Sequence, residues 1–259
     1  MRSKGRINQR RKRRRFCILI VSDENGNREI VLDVWGDFAL FTRTESKVER
    51  STYDIPTPSA VRGILEAILC KPVEFRYQVT EIDVMNPINT LTFMRNEVKV
   101  KADAKKLDSI DVDAERTQRH SYMLKDVYYR VHARMIPTAE YKEKDDKAEE
   151  KFYGHFERRL KKGKCFYQPY FGSKEYMCFF DEPDDSRTPI QESRDLGIVL
   201  YDIFDQHRHT PIVTSIKKAE NNSESYAPSY FHAYMINGIV KIPDYDSLEV
   251  FKQIRQKEE

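Results

Sequence analysis

No apolar run in the sequence approaches the ~20 residues that a membrane span requires, which argues against a helical membrane protein. The apolar stretch Phe16–Ser22 is too short for the core of a secretory signal and lacks a cleavage site. A soluble, cytoplasmic protein is therefore expected. The four cysteines, Cys17, Cys70, Cys165 and Cys178, are scattered without a C-x-x-C pair, so neither a zinc site nor a disulfide framework is signalled. P-loop, G-x-G-x-x-G and nucleophile-elbow motifs are missing. His207-x-His209 has no partner ligands nearby in sequence, and the pairs Asp145-Asp146 and Asp184-Asp185 read as loop charges. No metal-ligand set is expected. There is no internal repeat.

Charge, by contrast, is plentiful. Charged residues make up 34% of the chain and hydrophobic residues 39%, the balance of a globular protein with a heavily charged surface. Its 259 residues suit one large domain or two small ones. The formal net charge of +3 hides an asymmetry. Residues 1–15 carry nine of the 45 basic residues and no acid, and the other 36 meet 42 acidic residues, a balance of −6. Any nucleic-acid site in this mildly acidic body must be a local patch. The arginine-rich segment itself can neutralise phosphates without a fold, or be a disordered extension.

Ile30–Trp35 reads as a buried strand, followed by a loop from Gly36 to about Pro56. Thr57 can cap a helix that has Pro58 at its first position and Val61, Ile64, Leu65 and Ile68 on one face. Lys71-Pro72 stops it. Val73–Val84 alternates as a strand, Pro87–Lys125 is a charged excursion with the look of a hairpin, and Val127–Ala133 alternates again. An acidic linker, Glu140–Glu150, leads into a helix from about Lys147 to Lys162, ended by Gly163. Leu196–Phe204 reads as a strand and Phe231–Ile242 as a hairpin turning at Asn237-Gly238. Strand, helix, strand, strand, helix, strand is the ferredoxin-like order shared by RRM domains. The expected fold class is therefore α+β. A basic extension over 1–27 precedes a ferredoxin-like domain over 28–163, and a smaller C-terminal β-rich domain follows over 164–259.

The second helix carries the chemistry. Phe152, Phe156 and Leu160 form a core stripe, while Lys151, His155, Arg158 and Lys162 share another face, widened by Arg159 and Lys161. Residues 151–180 hold ten of the 30 aromatic residues, and seven basic residues face one acid up to Lys174. Cations that hold phosphates beside aromatics that stack on unpaired bases are what an RNA cleft needs. Such a run also fits a solvated helix face beside an aromatic strand. A histidine can move a proton near neutral pH and a lysine can stabilise charge on a phosphate, so Lys151 and His155 could support RNA cleavage by its own 2′-hydroxyl. Three readings stay open: a ribonuclease, an RNA-binding protein that does not cut, and an RRM-like module, although the aromatic signature of RRMs is missing.

The segment SKVERSTYDIPTPSAVRGILEAILCKP resembles the CRISPR-associated Cas family five in its d form, from the type I-C system. VWGDFALFTR, VMNPI, RNEV, RHSYMLKDVYYRVHA, KFYGHFERRLKKGKCFYQPYFGSKEY and RDLGIVLYDI extend the likeness in order, from about Ile30 to Pro243. The resemblance implies the RAMP type of fold and an endoribonuclease that binds the repeat hairpin of precursor CRISPR RNA. Such a protein cuts at the 3′ base of the stem without a metal. It then stays on the 5′ handle with the backbone and large subunits of the surveillance complex. Some members also cut DNA with a divalent metal. The family's catalytic set is a tyrosine, a lysine and a histidine. The lysine falls on Lys151, while Phe152 stands at the histidine position and Leu69 at the tyrosine position. His155, one turn beyond Lys151, is the candidate replacement, with Tyr153 behind it. His120 and Tyr122, which precede the third strand, could approach the site, with His120 a further candidate RNA contact. Arg158, Arg159, Lys161, Lys162 and Lys164 would grip the RNA.

Overall fold

The computed structural model describes residues 20–22, 26–46, 48–100, 111–138, 141, 147–204 and 228–252. The basic run 1–15, Asp145-Asp146 and the pair His207 and His209 lie outside the described residues.

Two described helices pack with one eleven-stranded sheet, an α+β architecture. The strands are β1 (Ile20–Ser22), β2 (Arg28–Ala39), β3 (Arg50–Ser51), β4 (Phe75–Val84), β5 (Asn89–Val98), β6 (Arg116–Pro137), β7 (Phe179–Asp181), β8 (Arg194–Asp202), β9 (Ser229–Ile236), β10 (Ile239–Lys241) and β11 (Phe251–Lys252). The helices are α1 (Pro58–Ile68), between β3 and β4, and α2 (Ala148–Leu160), between β6 and β7. The main path runs β1-β2-β6-β4-β10-β9-β11, with β7 also on β2, β3 and β5 on β6, and β8 on β9. Pairings are antiparallel except β3 with β6.

Alternation along the central strands divides the sheet into two faces. Ile30, Leu32 and Val34 of β2, Tyr129, Val131 and Ala133 of β6, and Ile82 and Val84 of β4 are buried in the same core cluster as Val61, Ile64, Leu65 and Ile68 of α1 and Phe152, Phe156 and Leu160 of α2. The other face is polar, with Glu29 and Asp33 on β2, Arg130, His132 and Arg134 on β6, and Glu81 and Asp83 on β4. A register shift between Val79 and Glu81 inserts Thr80 as a bulge and sets Glu81 opposite His132.

The helix signals hold locally. Thr57 Oγ1 accepts from the N–H of Ala60 at 3.1 Å, and Pro58 occupies a first-turn position whose N–H is not needed. Leu69 closes α1 in an extended conformation with its N–H on the Leu65 carbonyl. In α2, Glu149 and Glu150 sit in the first turn and Arg158 and Arg159 in the last, which suits the helix dipole. Gly163 adopts a φ of +60° just beyond it, the left-handed stop that glycine permits.

The excursion between β4 and β6 is a hairpin, with Asn89–Val98 paired to Arg116–Lys125. Its periodicity is weak because β5 is exposed along most of its length. β6 extends well beyond Val127–Ala133 because this hairpin continues it outward. The Asn237-Gly238 turn forms as expected, both residues with positive φ. Strands beyond residue 163 join the same sheet, β7 through β2 and β10 through β4.

Candidate functional site

Because α2 has to bury Phe152, Phe156 and Leu160, its opposite side faces solvent. Lys151, Arg158, Lys161, Lys162 and Lys164 are exposed there, with His155 and Arg159 half-buried. Residues four apart on a helix are neighbours, so Lys151 and His155 lie side by side. Lys161 pairs with Glu157 within the same helix.

His155 sits in a basic setting. Partial burial, and after it Arg158, Lys71 and Arg159, push its imidazole below the ordinary value, against an opposing pull from Glu74. Lys71, just past the end of α1, is held by Glu74 at 2.7 Å. This shift favours the neutral ring, the form that can accept a proton.

The chain leaving α2 crosses the end of α1, where the N–H of Phe166 donates to the Ala67 carbonyl at 2.6 Å. That crossing presents Phe166, 78% exposed, and Tyr167, 43% exposed, with ring centroids 6.2 Å apart. Burial, and then Glu66, push the Tyr167 phenol up to about 12. Two open aromatic faces beside a row of cations form a surface on which unpaired bases can stack while phosphates are held.

Three expected contributors do not fit that surface. Tyr153 is 1% exposed, and its hydroxyl donates to the Arg28 carbonyl and accepts from the Met135 N–H. Burial pushes its phenol up to about 12. It is a core residue whose polar end is consumed by backbone, not a group facing RNA. Phe152 packs its ring 4.7 Å from Phe75 and 5.2 Å from Tyr141. Leu69 is buried, and its carbonyl accepts from the Tyr77 hydroxyl at 2.8 Å. His120 is exposed on the outer part of β6, its N–H bonded to Glu49. The Tyr153 hydroxyl meets that same strand fifteen residues later, at Met135, roughly 50 Å of strand contour away. His120 and Tyr122 are thus not gathered with Lys151.

Lys71 and Glu74 were missed because Lys71-Pro72 reads only as a helix stop. An aromatic and cationic stack on the polar sheet face was missed as well: Trp35 lies 5.7 Å from Tyr128 and 6.2 Å from Phe179, and the Arg187 guanidinium lies 4.0 Å over the Tyr128 ring. Its signal was the polar side of the β6 alternation.

The family described as CRISPR-associated protein (Cas_Cas5), in its Cas5d form, matches residues 29–243. A relative from Thermus thermophilus, named CRISPR pre-crRNA endoribonuclease Cas5d, is 39% identical over 223 residues, covering 85% of this chain and 93% of its own. One of the same name from Mannheimia succiniciproducens is 36% identical over 239 residues, covering 85% and 97%. Among solved structures, a CRISPR-associated protein superposes with a TM-score of 0.59 at 22% identity, covering 86% of this chain and 96% of that one. A functionally uncharacterized protein from Streptococcus mutans gives 0.56 at 22% identity, covering 86% and 97%. At that identity the two structures show a shared fold.

Proposed function

This chain belongs to the Cas5d family of CRISPR-associated proteins, and on that premise we propose that it is an endoribonuclease of precursor CRISPR RNA. It binds the repeat hairpin, cuts at the 3′ base of the stem without a metal, and stays on the 5′ handle as a subunit of the type I-C surveillance complex. The observation that carries this reading is the neighbouring pair Lys151 and His155, with a depressed imidazole, beside the open rings of Phe166 and Tyr167.

His155 takes the proton from the 2′-hydroxyl next to the scissile phosphate. The 2′-oxygen attacks phosphorus, and Lys151 stabilises the charge that builds on the phosphorane oxygens. The bond to the 5′-oxygen breaks, that oxygen takes a proton from solvent, and a 2′,3′-cyclic phosphate remains. Arg158, Arg159, Lys161, Lys162 and Lys164 hold the strand through its phosphates.

The fold supports the same reading. The order β7-β2-β6-β4, with α1 and α2 on the two crossovers, supports reading these strands as the split βαβ plan of a ferredoxin-like RAMP unit. Its fourth strand, β7, comes from beyond residue 163, in the part read as the C-terminal β-rich domain.

A second reading is favoured by Phe152 and Leu69, which are packed into the core where the family has histidine and tyrosine. In it the chain caps the handle and does not cut. Incubation with the cognate repeat hairpin in EDTA separates the two. One cut supports the enzyme, and loss of that cut on 2′-deoxy substitution at the cleavage site supports the 2′-hydroxyl as nucleophile. Tight binding with no product under any condition supports the second reading.

A further inference from the structure

On the polar face of the sheet, His132 stands among three carboxylates. Its Nε2 lies 3.5 Å from Asp83 Oδ2 and 3.7 Å from Glu81 Oε1, and its Nδ1 lies 3.8 Å from Glu29 Oε2. One ligand atom from each of Glu81, Asp83 and His132 can be chosen so that all lie within 4.8 Å of one another. Three features separate this group from an ordinary ion-pair network.

First, buried atoms in it are left over. The Asp83 side chain is 9% exposed, yet among the described residues its Oδ1 has no hydrogen-bond partner, and His132 Nε2 has only the long ion-pair contacts to Asp83 and Glu81. Buried polar atoms are normally paired, and each exception calls for an explanation. Second, the two Nε2 separations are long for hydrogen bonds and suit a shared ion. Four ligands at 2.0–2.2 Å from a tetrahedral cation stand about 3.3–3.6 Å apart, close to the two Nε2 separations. Third, the ring is bracketed as metal-bound histidines are, one nitrogen toward the ligand pair and the other toward a further carboxylate, here Glu29.

We propose that Glu81, Asp83 and His132 form a site for one divalent cation of the zinc or manganese type, with solvent completing its shell. Mixed imidazole and carboxylate ligands suit such ions. The charges balance as well. Glu29, Glu81 and Asp83 supply three negative charges, Lys241 on Glu81 supplies one positive charge, and a divalent ion brings the local sum to zero. Glu81 divides its oxygens, Oε2 toward Lys241 and Oε1 toward the ring, so the lysine does not block the site. Arg130, next to Asp83, is itself bound to Asp33. The ion bridges β4 to β6 at the Thr80 bulge, with Glu29 of β2 behind it. The competitor is a proton: without a metal, the carboxylates outweigh burial and push His132 up to about 9.

The test is equilibrium dialysis of the full chain, freed of metal by EDTA, against Zn²⁺ and separately Mn²⁺, read by elemental analysis. His207→Ala and His209→Ala are built into the background to remove the histidine pair that the sequence holds elsewhere. One equivalent of zinc per chain is expected, with affinity reduced at least ~10-fold by His132→Gln and by Asp83→Asn. Zinc should raise the melting temperature, and both variants should lose that rise. Lys241→Met, at a side chain 76% exposed, should tighten zinc binding and keeps the test decisive if the core variants fold poorly. No saturable binding, or equal binding by parent and variants, would overturn the site and leave His132 as a protonated partner of its carboxylates.

Discussion

The backbone N–H of Phe166 donates a 2.6 Å hydrogen bond to the carbonyl oxygen of Ala67, in the last turn of α1. Carbonyls in that turn have no partner within the helix, so the bond satisfies one of them and pins the exit of α2 across the end of α1. By this crossing Tyr167 comes to lie near Glu66 and Cys70 at the end of α1, and Lys71, the next residue, lies near His155 of α2. Residues far apart in the chain thus make one surface that is cationic on α2 and aromatic beyond it.

Removing both rings tests that surface. Phe166→Ala with Tyr167→Ala should weaken binding of the repeat RNA by at least ~10-fold, since base stacking on an aromatic is worth about 1–3 kcal/mol per base. The melting temperature should barely change, because Phe166 is 78% exposed. Filter binding gives the affinity, and an unchanged value would remove the rings from the interface.

Tyr153→Phe should act on stability and not on chemistry. It strips the hydroxyl from the Arg28 carbonyl and the Met135 N–H and leaves buried backbone groups unpaired, at a cost of about 1–3 kcal/mol. A lower melting temperature with a normal cleavage rate per folded molecule is expected. A rate loss without destabilisation would return Tyr153 to the chemistry.

Arg62 ties α1 to β8. Its guanidinium reaches Asp202, 1% exposed, at 3.0 Å and Glu66 at 2.8 Å. Arg62→Ala leaves the Asp202 charge buried, which should cost about 3–5 kcal/mol. Urea denaturation measures it, and a loss under ~1 kcal/mol would mean that water reaches Asp202 easily.

What the sequence displayed and what it concealed follow from the range of each signal. α1 and α2 were legible because Thr57, Pro58 and Gly163 act within one turn and the apolar stripes repeat at helical spacing. The Asn237-Gly238 turn was legible for the same local reason. Tyr153 was misread because a tyrosine on the edge of an apolar stripe can point either way, and only the arrival of β6 decides that its hydroxyl meets backbone. Lys71 beside His155, and Glu81 and Asp83 beside His132, are joined by strand pairing and helix packing between distant segments. No local pattern encodes those meetings.

The pH dependence of cleavage should report His155. Burial and its basic neighbours lower the imidazole, so the neutral, proton-accepting form persists below the ordinary histidine range. The rate should rise with pH through an apparent pKa below the ordinary histidine value and then level off. Lys71→Met removes one of the cations that disfavour the protonated ring, so it should shift this acidic limb to higher pH. A limb that stays in place while binding is intact would assign the titration to another group.

The most direct measurement is single-turnover cleavage of the cognate repeat hairpin in EDTA, with protein in excess, by the parent chain and by Lys151→Ala. The side chain is exposed on α2, so its truncation should leave the fold and most of the phosphate contacts in place. The parent should give one cut at the 3′ base of the stem. Lys151→Ala should bind within a few-fold of the parent and cut at least ~10²-fold more slowly. Equal rates for the two proteins would contradict the assignment of the chemistry to this face of α2.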